Sequence, residues 1–64
     1  MTMALNAALD AFWVELLAMS RVSKAKAIRT AHYVARAHAP NFYAIAHFSQ
    51  MLMLSYLESE SWAD

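Results

Sequence analysis

Residues 27–38 read AIRTAHYVARAH, with alanine at every fourth position: Ala27, Ala31 and Ala35. Residues four apart lie one above another on the same side of an α-helix. Because alanine is small, this side lets neighbouring helices approach closely. The segment therefore predicts a tightly packed helix, which we place at residues 22–38, with Ser20 or Ser23 as its N-terminal cap.

An amphipathic helix precedes this segment. Its apolar side has the spacing 4, 3, 4, 3 and consists of Leu5, Leu9, Phe12, Leu16 and Met19. Such spacing is typical of a helix that packs at a shallow angle against a neighbour. The opposite side is weakly polar, because its charged residues are limited to Asp10 and Glu15. We therefore predict a first helix at residues 2–19.

Pro40 separates the second helix from a third. Proline disfavours the helical conformation in the residue before it, yet it is tolerated in the first turn of a helix. We predict the third helix at residues 41–58, followed by a short acidic tail at residues 59–64. The side of this helix expected to face the core comprises Phe42, Ile45, Phe48, Ser49, Leu52, Met53 and Tyr56.

The third helix is apolar on its other side as well. A helix of this kind is normally buried on more than one side. In a chain of 64 residues a single core supplies only roughly 3–5 kcal/mol, so self-association is a common aid to stability. We expect an all-α, three-helix single domain over residues 1–64 that assembles as a helical-bundle homodimer. The residues expected at the dimer interface are Tyr43, His47, Met51 and Leu54.

The composition excludes several kinds of site. Without cysteine, the chain has no disulfides, no cysteine-bound zinc and no thiol catalysis. Without glycine, it lacks the phosphate-binding loops and dinucleotide-binding motifs that depend on glycine's backbone freedom. A hydrophobic content of 61% argues against intrinsic disorder.

Charged residues are segregated along the chain although the formal net charge is zero. All five basic residues lie within residues 21–36, and all five acidic residues lie outside that range. We expect the basic side of the second helix to bind a protein partner, and in particular an acidic one. The residues expected to make this contact are Arg21, Lys26, Arg29, His32, Tyr33 and Arg36.

Two other interpretations of the basic segment remain open. It could bind nucleic acid, although zero net charge weakens the attraction to phosphates that supplies most non-specific affinity. In a helix-turn-helix arrangement, the third helix would present residues 42–45, FYAI, which are poorly suited to reading base edges. Alternatively, the basic side is solvated and pairs with Glu15 or with the acidic tail of the same or a partner chain.

The histidines and carboxylates form no recognisable catalytic or metal-binding pattern. His32, His38 and His47 are six and nine residues apart, not the four that a helical zinc pair requires. No spacing places a base beside a nucleophile, and the acids lie at exposed-looking positions or in the tail, not as a pair in an apolar cleft. We therefore expect no catalytic residues, no metal site, no cofactor and no enzymatic activity.

Residues 37–57 contain no Lys, Arg, Asp or Glu and reach the length of a membrane-spanning helix. They include Pro40, Asn41 and Gln50, however, and their hydropathy is modest, which favours a buried helix. The N-terminus lacks the basic leader of a signal peptide. We expect a small cytoplasmic, non-catalytic protein that regulates a protein partner by binding it.

Overall fold

The computed structural model describes residues 3–63, with side chains from Met3 to Glu60. Residues 3–63 form three helices and no strand: α1 (Met3–Leu17), α2 (Lys24–His38) and α3 (Ala44–Ala63). The helices pack against one another in a unit that measures 34 × 19 × 16 Å. The predicted all-α, three-helix architecture is confirmed, and α1 ends two residues earlier than predicted.

α2 begins two residues later than predicted and ends at the predicted residue, His38. Ser23 Oγ accepts a hydrogen bond from the backbone N–H of Lys26 at 3.2 Å, so Ser23 is the N-terminal cap and Ser20 is not. At the other end, Ala39 is extended (φ −64°, ψ 137°), as expected for a residue before proline. Pro40 therefore ends α2 as predicted.

The bounds of α3 differ from the prediction at both ends. Asn41 Oδ1 accepts a hydrogen bond from the backbone N–H of Ala44 at 2.9 Å, so residues 41–43 form a capping turn and the helix begins at Ala44. The predicted tail is helical as far as Ala63. No glycine or proline follows Pro40 to stop the helix. Asp64 and the side chains of residues 61–63 lie outside the described part of the chain.

The alanine side of α2 lies at the centre of the core. Ala27, Ala31 and Ala35 are fully buried, and Val34 is nearly so. α2 packs extensively against both other helices, whereas α1 and α3 contact each other less. The small side of α2 is thus the surface on which both neighbours pack, as the spacing predicted. The residues buried against it are Leu5, Ala8, Phe12 and Leu16 of α1, and Phe48, Leu52 and Tyr56 of α3.

A hydrogen bond joins α1 directly to α3. The indole N–H of Trp13 donates to Ser55 Oγ at 2.9 Å, and the Trp13 ring meets Phe12 edge to face. This contact fixes α1 beside α3 and leaves the outer side of α2 in solvent. Across residues 3–63, no helix combines the length and apolar character that crossing a bilayer requires.

Candidate functional site

The side of α2 that faces away from the core forms a shallow depression, which we call the outer α2 face. It brings together four of the six residues predicted to bind a partner, at the helical spacing that places them on one side. Tyr33 is 71% exposed and Ile28 is 51% exposed, so apolar surface is available between the cations. The outer α2 face consists of Ile28, Arg29, His32, Tyr33, Arg36 and Ala37.

The other two predicted residues lie elsewhere. Arg21 precedes α2, and Lys26 lies in its first turn. The ammonium group of Lys26 donates a hydrogen bond to the backbone carbonyl oxygen of Arg21 at 3.5 Å. Neither residue lines the outer α2 face, so the predicted set of six is divided between that face and the start of α2.

A second depression runs between α2 and α3, and we call it the α2–α3 groove. It has a volume of about 670 Å³ and shares His32 and Arg36 with the outer α2 face, so the two form one continuous surface. Its lining consists of His32, Arg36, Phe42, Ile45, Ala46 and Ser49. The groove therefore combines two cationic or polar side chains of α2 with a mainly apolar wall from α3 and the turn before it.

Among the residues that line this groove, Phe42 differs most from its predicted position. The sequence pattern assigned it to the core side of the third helix, but Phe42 is 81% exposed. Because Asn41 caps the helix at Ala44, Phe42 lies in the preceding turn and no longer follows the helical spacing. Its ring instead meets Tyr43, itself 89% exposed, edge to face at a centroid separation of 6.2 Å.

Ser49 lines the same groove with a hydroxyl that has no partner. Its Oγ is buried and forms no hydrogen bond with any described residue. A buried hydroxyl without a partner is unfavourable for the fold. The sequence pattern did not indicate that the Ser49 hydroxyl is unpaired, because Ser49 occupies an ordinary position on the core side of α3.

The cations of this surface are not neutralised by the fold. Among the described residues, no carboxylate lies within ion-pair distance of Arg29 or Arg36. The described acids lie on α1, at Asp10 and Glu15, or near the end of α3, at Glu58 and Glu60. One interpretation of the sequence was that the basic side is solvated and forms ion pairs with Glu15 or with the acidic tail. Within the described part of one chain, Arg29 and Arg36 form no such pair.

The residues predicted at the dimer interface are unequally exposed. Tyr43, His47 and Leu54 are exposed, whereas Met51 is partly buried and packs against the core of its own chain. His47, Met51 and Leu54 share one side of α3 by their spacing, but Tyr43 precedes the helix. α1 also has exposed apolar residues that the core does not use, namely Met3, Val14 and Leu17.

No three described His, Asp or Glu side chains come close enough together to hold a metal ion. Comparisons of the chain with protein-family models, with curated proteins and with solved structures found no match. The functional assignment therefore rests on the geometry and charge of the two adjoining depressions.

Proposed function

We propose that this protein is a non-catalytic interaction module that binds and regulates a protein partner through the outer α2 face and the α2–α3 groove. The observation that carries the proposal is the position of Arg29 and Arg36. Both are exposed and unpaired with any described carboxylate, and both border exposed apolar surface. Protein interfaces favour this mixture, because arginine and aromatic side chains are enriched among their energetically dominant residues.

The apolar lining favours a protein over nucleic acid as the partner. A phosphate backbone gains nothing from Ile28, Phe42 or Ile45, and the chain as a whole has no net positive charge. An acidic protein surface can satisfy the arginines while burying the same apolar side chains. Binding to nucleic acid through the basic residues is the competing proposal, and salt dependence separates the two.

We further propose that two copies associate through α1 and α3. The chain exposes 4718 Å², whereas the usual scaling of surface with mass gives about 4,100 Å² for a monomer of 7.2 kDa. Exposed Val14, Leu17 and Leu54 lie on the two helices that the Trp13–Ser55 hydrogen bond joins. The outer α2 face is a poor alternative, because a symmetric dimer there would oppose two rows of arginines.

The test of partner binding compares two double variants with the same change in net charge. Proteins of the native host are cross-linked to the chain, and each recovered partner is purified and titrated directly. Arg29→Glu with Arg36→Glu should weaken binding at least tenfold, because it reverses the charge of the outer α2 face. Arg21→Glu with Lys24→Glu should have little effect, because neither residue lines that face.

Circular dichroism of both variants should show the helix content of the wild type, so that a loss of binding is not due to unfolding. If the first double variant binds every purified partner as tightly as the wild type, the outer α2 face is not the site. Titration with random-sequence duplex DNA tests the competing proposal: DNA affinity that falls steeply with rising salt and is lost in the first double variant supports nucleic-acid binding instead.

A further inference from the structure

We infer that the segment of the partner that occupies the α2–α3 groove is an amphipathic helix with an apolar ridge and an acidic edge. This inference rests on the proposed function and adds the chemistry and conformation of the occupant. It follows from three features of the groove: its cationic edge, its apolar wall, and the absence of any strand in residues 3–63.

The cationic edge selects an acidic occupant. Arg36 lines both the α2–α3 groove and the outer α2 face, and Arg29 lies on the adjoining outer α2 face. The two arginines are seven residues apart on α2, a separation of about 10.5 Å along the helix axis, with His32 between them. Carboxylates seven residues apart on a partner helix have the same separation and can face both guanidinium groups at once. Arginine binds carboxylates in a planar, bidentate geometry, so this match favours a specific orientation of the partner.

The apolar wall selects an occupant with an apolar ridge. Ile45 and Phe42 provide large apolar surfaces, and the small side chain of exposed Ala46 lets another backbone approach between them. Phe42 is 81% exposed in the free chain, so covering it removes apolar surface from water and favours binding. The ridge of the partner helix therefore lies over Ala46 with the acidic edge towards α2.

The conformation of the occupant follows from the hydrogen bonds available to its backbone. A β-strand peptide gains its main-chain hydrogen bonds from a sheet edge, and residues 3–63 offer none. A helix satisfies its own N–H and C=O groups internally and needs only side-chain complementarity. The outer α2 face spans Ile28 to Ala37, about 13.5 Å of helix, which suits two to three turns of a partner.

The probe is a pair of synthetic helical peptides with the same length and the same leucine ridge. One carries glutamates along the edges of the ridge, and the other carries lysines at the same positions. The glutamate peptide should bind the full chain at least tenfold more tightly than the lysine peptide. In amide NMR spectra its contacts should perturb Ile28, Arg36, Ala46 and Ser49, with residues of α1 unaffected.

Two matched pairs of variants separate the groove from its surroundings. Ala46→Glu should weaken binding of the glutamate peptide about tenfold, because it places a carboxylate in the groove, whereas Gln50→Glu, one turn away on exposed α3 surface, should not. Phe42→Ala should weaken binding severalfold, and Tyr43→Ala, which removes a ring outside the groove lining, should weaken it less. All four positions are exposed, so these variants should fold normally.

Reversal of the peptide preference is the sharpest outcome. Arg29→Glu with Arg36→Glu should bind the lysine peptide more tightly than the glutamate peptide. Equal affinity of the wild type for both peptides, perturbations confined to α1, or no binding of either peptide would overturn the inference. The inference would also be overturned if duplex DNA displaced the glutamate peptide completely and bound more tightly than the peptide.

The native partner distinguishes this inference from the function on which it rests. If that partner is lost on reversing Arg29 and Arg36 but binds the Ala46→Glu and Phe42→Ala variants normally, the proposed function stands and the groove-bound helix is wrong. If the partner is indifferent to all of these changes, the proposed function itself fails.

Discussion

Tyr56 shows how one residue of α3 joins the core to the end of the helix. Its ring is buried, and Glu60 follows one turn later on the same side of α3. Hydrogen bonding to Glu60, together with burial and the negative charge of Glu60, raises the pKa of Tyr56 above its ordinary value. Because the pKa of Tyr56 is higher in the folded state than in the unfolded chain, Tyr56 contributes stability below the unfolded value of about pH 10. This stability is lost as pH rises through the folded-state pKa.

Glu60→Gln should lower the pKa of Tyr56, because glutamine can still accept the hydrogen bond but has no charge to disfavour the phenolate. The measurement is a tyrosinate absorbance titration in a Tyr33→Phe, Tyr43→Phe background, where Tyr56 is the remaining tyrosine. Glu58→Gln is the matched control and should leave the midpoint in place. An unchanged midpoint in Glu60→Gln would show that the carboxylate does not act on Tyr56.

At the scale of the element, α2 has two sides with separate roles. Its alanine side is fully buried against α1 and α3, and its opposite side forms the outer α2 face. The close packing leaves no room on the first side for larger residues. Changes on one side should therefore affect stability, and changes on the other should affect binding.

Ala31→Leu should destabilise the fold by about 1–3 kcal/mol, because it adds a branched side chain where the helices approach closely. Ala25→Leu adds the same atoms at an exposed position of the same helix and should change the free energy of unfolding by less than about 0.5 kcal/mol. Urea denaturation monitored by circular dichroism measures both. Equal stability of the two variants would mean that the alanine side is not tightly packed.

At the scale of the whole molecule, the cations of the outer α2 face lie on a different helix from the exposed apolar residues of α1 and α3. The unpaired cations lie on α2, whereas most exposed apolar residues outside the α2–α3 groove lie on α1 and α3. This separation allows one molecule to bind a second copy on one side and an acidic partner on the other. The two proposed contacts should therefore be separable by mutation.

Sedimentation at micromolar concentration should give at least twice the 7.2 kDa mass of one chain. Leu54→Glu should lower the mass towards the monomer, because it places a charge in the proposed interface. Ile28→Glu is the matched control: Ile28 is 51% exposed and Leu54 44%, but Ile28 lies on the outer α2 face, so the mass should not change. A folded wild-type monomer at this concentration would refute the proposed dimer.

Helix content, the alanine packing side and the turn at Pro40 were all predictable from the sequence. They depend on local spacing and on backbone sterics, which act within a few residues of one another. The ends of α3 were predicted less well. Pro40 predicted a helix start at residue 41, but the backbone N–H of Ala44 donates a capping hydrogen bond to Asn41, and the helix begins at Ala44.

The candidate site was predictable only in part, because the chain order does not show which residues of different helices become neighbours. The sequence alone established that Arg29 and Arg36 share a side of α2 and that its alanines share the opposite one. Tertiary packing decided that Ala46 and Ser49 of α3 border the same arginine, and the capping turn moved Phe42 out of the core to join them. Helical periodicity is a local property of the backbone, whereas a groove exists only once two helices lie side by side.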